Sequence, residues 1–597
     1  MRVCQPDMEF STACTYFESI NSESGDARKM EHIAELFTEC ISESNFRSTE
    51  SYSVDTETVE PGDMSLLARY VQGEIFAGWD KRKVGVGPAA AKNILTVVSD
   101  KSERDIDSLM NTHGDVGLVG EFVCQDQIGQ TGLQTFDSES VSIQDVHRTF
   151  GNLTEISGSG SRKRKQDEIV SVMQDMSGVE SKYFLKLLLG NMRIGVGGGT
   201  VRDAIAELDD SITSDDVEQA VQLTNDYGYV ATLVGSSLAC GDVPYETIST
   251  IKMQIGRPVQ SMKAQQGGIE IAFGERETVW VDMKLDGARS QIHYHGGGPE
   301  TVEIYSSDME NVTESLPEVR EQISNVCNEP VILDGEVIAI KEQTEATSDG
   351  VGSYTRSIDP LPFNDVLRRF RRENDIGEIK SDVPVTFIAF DILMRGDEPL
   401  YNKYLTERVS ELHDVFGEYS VPYVLTDDIE VANELRDEAL SLGHEGVMVK
   451  DPQSSFTPGK RQRSWMKDKA KRETLDVVVI GGRWGDGKRS DTIGAYHIAV
   501  QNDNGELSGI GFVGTGVTES DIAELNEVME EHTISTNGDY VKINPSSAGI
   551  VLEVSFDEIF ETVETECGYS LRFPSVESIR TDKDIGGINT IQQLQEM

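Results

Sequence analysis

The hydrophobic pattern of this chain changes period part-way along, and that change limits the folds open to it. Up to about residue 247 the apolar residues recur at helical spacing; Phe184, Leu185, Leu188 and Leu189, for example, run up to Gly190. From about 248 the apolar runs shorten to strand length, at 278–281, 331–333, 385–390 and 446–449. Among them, Phe363, Val366, Leu367 and Phe370 predict one amphipathic helix with its arginines turned outward. Near 473 a second strand-rich stretch begins at Leu475 and continues in glycine-bounded short runs, the pattern of a small barrel. A chain of 597 residues exceeds what one core can hold. The pattern therefore describes a multidomain α+β protein divided into 1–247, 248–472 and 473–597.

Charge narrows the setting. Asp and Glu number 104 against 53 Lys and Arg, a formal net charge of −51. The acid is spread along the whole chain, as in proteins from cells with molar internal salt. There the Debye length falls to about 3 Å, so self-repulsion is tolerated and solubility is gained. Against that background three basic clusters stand out: Arg162-Lys163-Arg164-Lys165, Arg368-Arg369-Phe370-Arg371-Arg372 and Lys460-Arg461-Gln462-Arg463. The first closes a Ser/Gly-rich stretch, 157–165, expected to be a flexible basic surface loop. The seven cysteines are scattered without a C-x-x-C, which argues against a disulfide framework or a zinc module and fits a reducing cytoplasm. There is neither a membrane-spanning apolar run nor a secretory signal. Residues 1–7 read as a poorly structured extension, with Met8 an alternative start.

The loop Ile194-Gly195-Val196-Gly197-Gly198-Gly199-Thr200 looks like a dinucleotide fingerprint but lacks the preceding strand that such a site requires. Two readings remain: a glycine-rich turn whose backbone N–H groups meet a DNA phosphate, or a plain turn between helices. Thr200 is the expected N-cap of the helix that follows.

The chemistry lies further on. Lys284-Leu285-Asp286-Gly287-Ala288-Arg289 follows directly on a predicted strand. A lysine amine can attack the α-phosphorus of a nucleotide and form a phosphoramidate. With an ordinary pKa near 10.4, only on the order of one lysine in a thousand is neutral at pH 7, so the site must favour the neutral form. Four companions follow in order. Asp334-Gly335-Glu336 and Phe390-Asp391 are expected to end two strands. Glu445-Gly446-Val447-Met448-Val449-Lys450 comes next, and Trp465-Met466-Lys467-Asp468-Lys469 closes the set.

In these five motifs the chain resembles the covalent nucleotidyltransferases, and specifically the ATP-dependent DNA ligases of archaeal type. Arg257-Pro258-Val259-Gln260-Ser261-Met262, Met192-Arg193-Ile194-Gly195-Val196-Gly197 and Gly568-Tyr569-Ser570-Leu571-Arg572-Phe573-Pro574 extend the likeness over nearly the whole chain. The resemblance implies a helical DNA-binding domain, a central α+β adenylation domain and a C-terminal OB-fold β-barrel carrying Arg580 and Lys583. It implies Lys284 as nucleophile. Asp282, Arg289, Glu336, Phe390, Arg461, Lys467 and Lys469 would bind the nucleotide, with the three cations around the triphosphate also favouring a neutral Lys284. Glu336 and Glu445 would hold Mg²⁺. ATP is the implied co-substrate and nicked duplex DNA the partner, with a sliding clamp as a further one. The implied protein is a cytoplasmic monomer serving replication, recombination and repair.

Two departures bear on activity. Ser307 and Ser575 occupy positions where the family carries arginine. They keep a non-catalytic DNA-binding paralogue among the alternatives, beside an RNA ligase or capping enzyme built on the same motifs. A NAD-using ligase would need the cysteine-rich zinc module that these cysteines do not form.

Overall fold

The computed structural model describes residues 8–43, 61–99, 101–130, 140–341, 350–370, 383–469, 473–485, 492–502 and 504–597. Residues 1–7, Arg371 and Arg372 lie outside them. The chain divides into two compact units, 1–468 and 469–597. No helix among the described residues is long and apolar enough to cross a membrane, and the six cysteines among them are free.

Up to Ile248 the first unit is helical. Its helices are delimited by local chemistry. Ser177 and Glu180 form a capping box at the start of Gly178–Leu188, and Gly190, at φ +63°, follows its end. The core of this region includes Phe150 and Phe184, whose rings stack at 5.0 Å. Two details differ from the sequence reading. The helix after the glycine-rich loop is Gly198–Ala206, and its N-cap is Gly197 rather than Thr200. The tyrosine ring of Tyr227 packs so closely on Gly198 that a Cβ there would lie 2.7 Å from its hydroxyl. The Ser/Gly stretch 157–165 is only in part a loop: 157–160 form a turn, and from Ser161 the chain is already in the helix Ser161–Met173. Arg164 reaches back to donate to the carbonyls of Ser157 (2.6 Å) and Ser159 (2.8 Å), and Lys165 donates to that of Val84.

Ten strands follow: β1 (Lys263–Gln266), β2 (Val279–Lys284), β3 (Ala288–Tyr294), β4 (Val302–Ser306), β5 (Val331–Ala339), β6 (Val385–Arg395), β7 (Glu398–Pro399), β8 (Tyr423–Thr426), β9 (Gly446–Lys450) and β10 (Arg461–Lys469). They form two five-stranded sheets, β1-β10-β9-β2-β8 and β4-β3-β5-β6-β7. Val281, Met283 and Val447 from the first sheet share one apolar cluster with Ile338 and Ile388 from the second, so the sheets pack face to face. The motifs at 334–336 and 390–391 lie inside β5 and β6, not at their ends. The helix Phe363–Phe370 forms as expected, but of its two arginines among the described residues Arg368 faces outward and Arg369 does not. Arg369 is fully buried and ion-pairs with Glu318 at 2.8 Å; a buried guanidinium is tolerable because that carboxylate and two backbone carbonyls receive it.

The second unit is built round the long strand β11 (Glu473–Trp484). One edge pairs with β12 (Ile493–Gln501), which pairs in turn with β13 (Leu507–Val513). The other edge is shared. β14 (Thr533–Asn537) pairs with β15 (Tyr540–Ile543), which takes 481–483 of β11, and β16 (Val551–Phe556) takes 473–478. The hairpin β17 (Glu558–Glu561) and β18 (Tyr569–Arg572) follows, and β19 (Ser575–Ile579) adds to β16. One strand serving two partners on one edge curls the sheet, as expected for an OB-type barrel.

Candidate active site

Lys284 is the last residue of β2 and Ala288 the first of β3, so 285–287 carries the chain from one sheet to the other. That crossover needs Gly287: a Cβ there would lie 2.5 Å from the carbonyl oxygen of Val337 on β5. Lys284 stands opposite Gly446, and the Glu445 N–H donates to the Lys284 carbonyl at 2.9 Å. Gly446 has φ +136°, a conformation open to glycine and costly for side chains. With the backbone so turned, the Glu445 carboxylate lies 2.6 Å from Lys284 Nζ.

The charges nearest Lys284 are therefore carboxylates, not the cations that the sequence reading supposed. Burial works to lower the lysine pKa. Glu445, then Glu336 and Asp286, outweigh it, and the net direction is upward. Glu336 itself is pushed up to about 8, first by burial and further by Glu445 and Asp334, against the pull of Lys284 and Arg289. The Glu445 carboxylate and the Glu336 carboxyl, mostly protonated at neutral pH, thus flank one ammonium. Among the described residues no group of three or more His, Cys, Asp or Glu is arranged to hold a metal ion. Two carboxylates are nonetheless what Mg²⁺ takes from a protein when phosphate oxygens and water complete its shell, so the donor set fits.

Arg289 faces Glu336 across the β3–β5 pairing. Its Nε and Nη2 donate to Asp334 at 3.0 and 2.6 Å, and its Nη1 to the carbonyl of Met262 at 2.6 Å. Its guanidinium lies 5.3 Å from the centroid of the Phe390 ring. Phe390 is placed by a bulge: β6 passes from Ala389, opposite Gly335, to Asp391, opposite Asp334, so Phe390 is the extra residue. A bulge re-aims a side chain, and here the ring packs against both the cluster between the two sheets and a second one that includes Val259, Met262 and Trp465, lying edge-on to Trp465.

Asp282 is buried under this ring. Its carboxylate pairs at 2.5 Å with Lys450, itself 1% exposed, and the Lys450 ammonium lies 5.0 Å from Phe390 and 4.4 Å from Trp465. Burial raises the Asp282 pKa, with Lys450 opposing. Lys450 and Asp334 were named from the sequence only as members of their motifs, with no role given to either. Strand alternation could have found both: 446, 448 and 450 share a face with 282 and 284, and 334 shares one with 336.

The remaining cations divide. Arg461 is exposed at the start of β10, opposite Lys263; Lys467 is half-buried opposite Gln266, on the face that carries Trp465. Lys469 belongs to the second unit and lies 3.6 Å from Asp557. In that same unit Arg580 pairs with Asp476 (2.9 Å) and Asp582 (2.7 Å), and Lys583 also pairs with Asp476. Ser307 is exposed in the turn after β4, and Ser575 opens β19.

Three family models cover the chain: the DNA ligase N terminus over residues 9–206, the ATP dependent DNA ligase domain over 261–469, and the ATP dependent DNA ligase C terminal region over 489–583. The DNA ligase of Haloarcula marismortui is 35% identical, covering 99% of each chain. That of Archaeoglobus fulgidus is 36% identical over 90% of this chain and 92% of its own.

The chain belongs to the ATP-dependent DNA ligases.

Among solved structures, a mycobacterial DNA ligase D complexed with ATP and MES covers 55% of this ligase and 97% of its own chain, at 23% identity and a TM-score of 0.30. The ligase's own geometry sets a lysine at a sheet junction with the Glu445 carboxylate on it, and a phenylalanine ring beside Arg289.

Proposed function

We propose that Lys284 is the nucleophile of this ligase, that Glu336 and Glu445 hold Mg²⁺, and that Asp282, Arg289, Phe390, Arg461, Lys467 and Lys469 bind ATP. The single observation that carries this is the 2.6 Å contact between Lys284 and Glu445 at the junction of the two sheets. In the resting protein the lysine is an ammonium tied to the Glu445 carboxylate. With Glu336 and Glu445 committed to a cation, Asp286 would be the carboxylate left opposing burial at Lys284, and burial favours the neutral amine. Mg²⁺ supplies charge neutralisation on the phosphate oxygens. The Lys284 nitrogen then forms its bond to the α-phosphorus as pyrophosphate leaves. AMP passes to the 5′-phosphate of the nick, and the 3′-hydroxyl displaces it.

The same proposal assigns 1–247 to gripping nicked duplex DNA, 248–472 to adenylation and 473–597 to an OB-type domain carrying Arg580 and Lys583. The glycine-rich turn supports the DNA grip, because the helix Gly198–Ala206 opens with no side-chain cap on its N–H groups. Cytoplasmic location, a monomeric state and a sliding-clamp partner complete the proposal.

Two substitutions test the pocket. Phe390→Ala removes a stacking face worth about 1–3 kcal/mol, so the KM for ATP should rise roughly 5- to 150-fold with kcat little changed. Glu445→Ala should lower kcat by at least about 100-fold. Small, similar effects from both would mean the two residues are misassigned.

A further inference from the structure

One face of β3 is polar although it is buried. Strand alternation puts Arg289, Gln291 and His293 on that face, and Tyr305 of β4 stands directly opposite Gln291. Gln291 is 2% exposed, His293 0% and Tyr305 1%. Burying three polar side chains costs free energy unless each is matched. Each is matched to the backbone of one segment, Gly256 to Met262, which leads from the helices into β1.

The pairing is consistent atom by atom. Gln291 Oε1 accepts from the Val259 N–H at 2.8 Å, and Gln291 Nε2 donates to the Val259 carbonyl at 3.3 Å. His293 Nδ1 accepts from the Gly256 N–H at 3.0 Å, and the Tyr305 hydroxyl donates to the Gly256 carbonyl at 3.0 Å. Since Nδ1 accepts, the ring proton sits on Nε2, which lies 2.9 Å from Gln291 Oε1 and donates to it. The segment is thus strapped down at Gly256 and at Val259. Its far end, the Met262 carbonyl, receives Nη1 of Arg289 at 2.6 Å, and that carbonyl and Asp334 are the two anchors that orient the guanidinium.

We propose that Gln291 and His293 are positioning residues for ATP binding: by fixing the strap, they set the Met262 carbonyl that aims Arg289 at the nucleotide. Neither residue touches substrate. The inference rests on the proposed role of Arg289 in holding ATP, and its test separates the two.

Full-length protein at molar KCl is assayed for self-adenylation with α-labelled ATP and for sealing of a saturating nick that already carries 5′-AMP. Gln291→Leu should raise the KM for ATP about tenfold, as expected for a mis-set charge-assisted hydrogen bond, and leave kcat and pre-adenylated sealing within about twofold. Gln291→Glu keeps the acceptor for Val259 N–H and the His293 proton, and in its protonated form also a donor for the Val259 carbonyl, so it should largely restore the KM as pH is lowered. Tyr305→Phe removes only the hydroxyl and should shift the KM in the same direction by less; it serves if Gln291→Leu fails to fold. An unchanged KM in Gln291→Leu and Tyr305→Phe, or a parallel fall in KM-independent sealing, would overturn the proposal. An unchanged KM in Arg289→Ala would instead overturn the role of Arg289 on which it rests.

Discussion

Replacing Lys450 by methionine isolates the buried charge beneath the pocket. The side chains of Lys450 and Asp282 are 1% and 2% exposed and meet at 2.5 Å. Methionine keeps the unbranched stem and removes the ammonium, leaving Asp282 without its cation. Breaking a buried pair from one side costs about 3–5 kcal/mol. Protonation sets a ceiling: taking the carboxyl from its ordinary 3.8 to neutrality at pH 7 costs about 1.36 kcal/mol per unit, about 4 kcal/mol in all. The expected loss is therefore about 3–4 kcal/mol. It should shrink as pH falls toward 4, because the unfolded carboxyl then protonates too, and be fullest at neutral pH and above. In the double variant Asp282→Asn/Lys450→Met no charge is stranded, and the cost should fall below about 1.5 kcal/mol. Urea unfolding in molar KCl reads all four proteins, with the double-mutant cycle giving the coupling. A Lys450→Met loss under about 1 kcal/mol, or a double variant costing the sum of the singles, would refute this account of the pocket floor.

Two further outcomes follow from charge. With a net charge of −51, the isolated protein should unfold or aggregate at low ionic strength and gain sealing activity into the molar KCl range, although counterion release weakens DNA binding as salt rises; activity that is full near about 50 mM salt and only falls above it would contradict this. His147 is held neutral, its pKa pushed down to about 4 by burial first and then by Arg69 and Arg82. The unfolded imidazole binds its proton near 6.5, so its contribution is intact above that pH and drains by about 1.4 kcal/mol per unit as pH falls toward 4. His147→Gln should flatten that stretch of the stability–pH curve; an unchanged slope would contradict it.

The five motifs were legible because each is short and self-contained, and the roles proposed for Lys284, Glu336, Phe390 and Glu445 came from the family resemblance that the motifs carry. What the spacing did not show was their mutual geometry. Lys284 was expected among cations, yet its partners are carboxylates brought in by β5 and β9. Phe390 was expected at a strand end; it sits mid-strand on a bulge that no residue type at that point announces. Arg369 read as surface charge because its partner, Glu318, lies on another helix. The 157–165 stretch read as loop from its serines and glycines, while the helix there is secured by Arg164 reaching back over it. Local pattern predicts elements; these four depended on contacts between residues far apart in sequence or on one side chain folding back.

The central claim is that Lys284 captures AMP, and one comparison tests it directly. Lys284→Ala and Lys284→Arg are incubated with α-labelled ATP, then with an ordinary nick and with a nick already bearing 5′-AMP. The account expects no label on either variant, since alanine has no amine and a guanidinium stays protonated near neutral pH. It expects no sealing of the ordinary nick. It also expects Lys284→Ala to retain part of its sealing of the pre-adenylated nick, because the lysine–AMP bond is already broken before that step. Label on Lys284→Ala would place the nucleophile at another residue and contradict the claim.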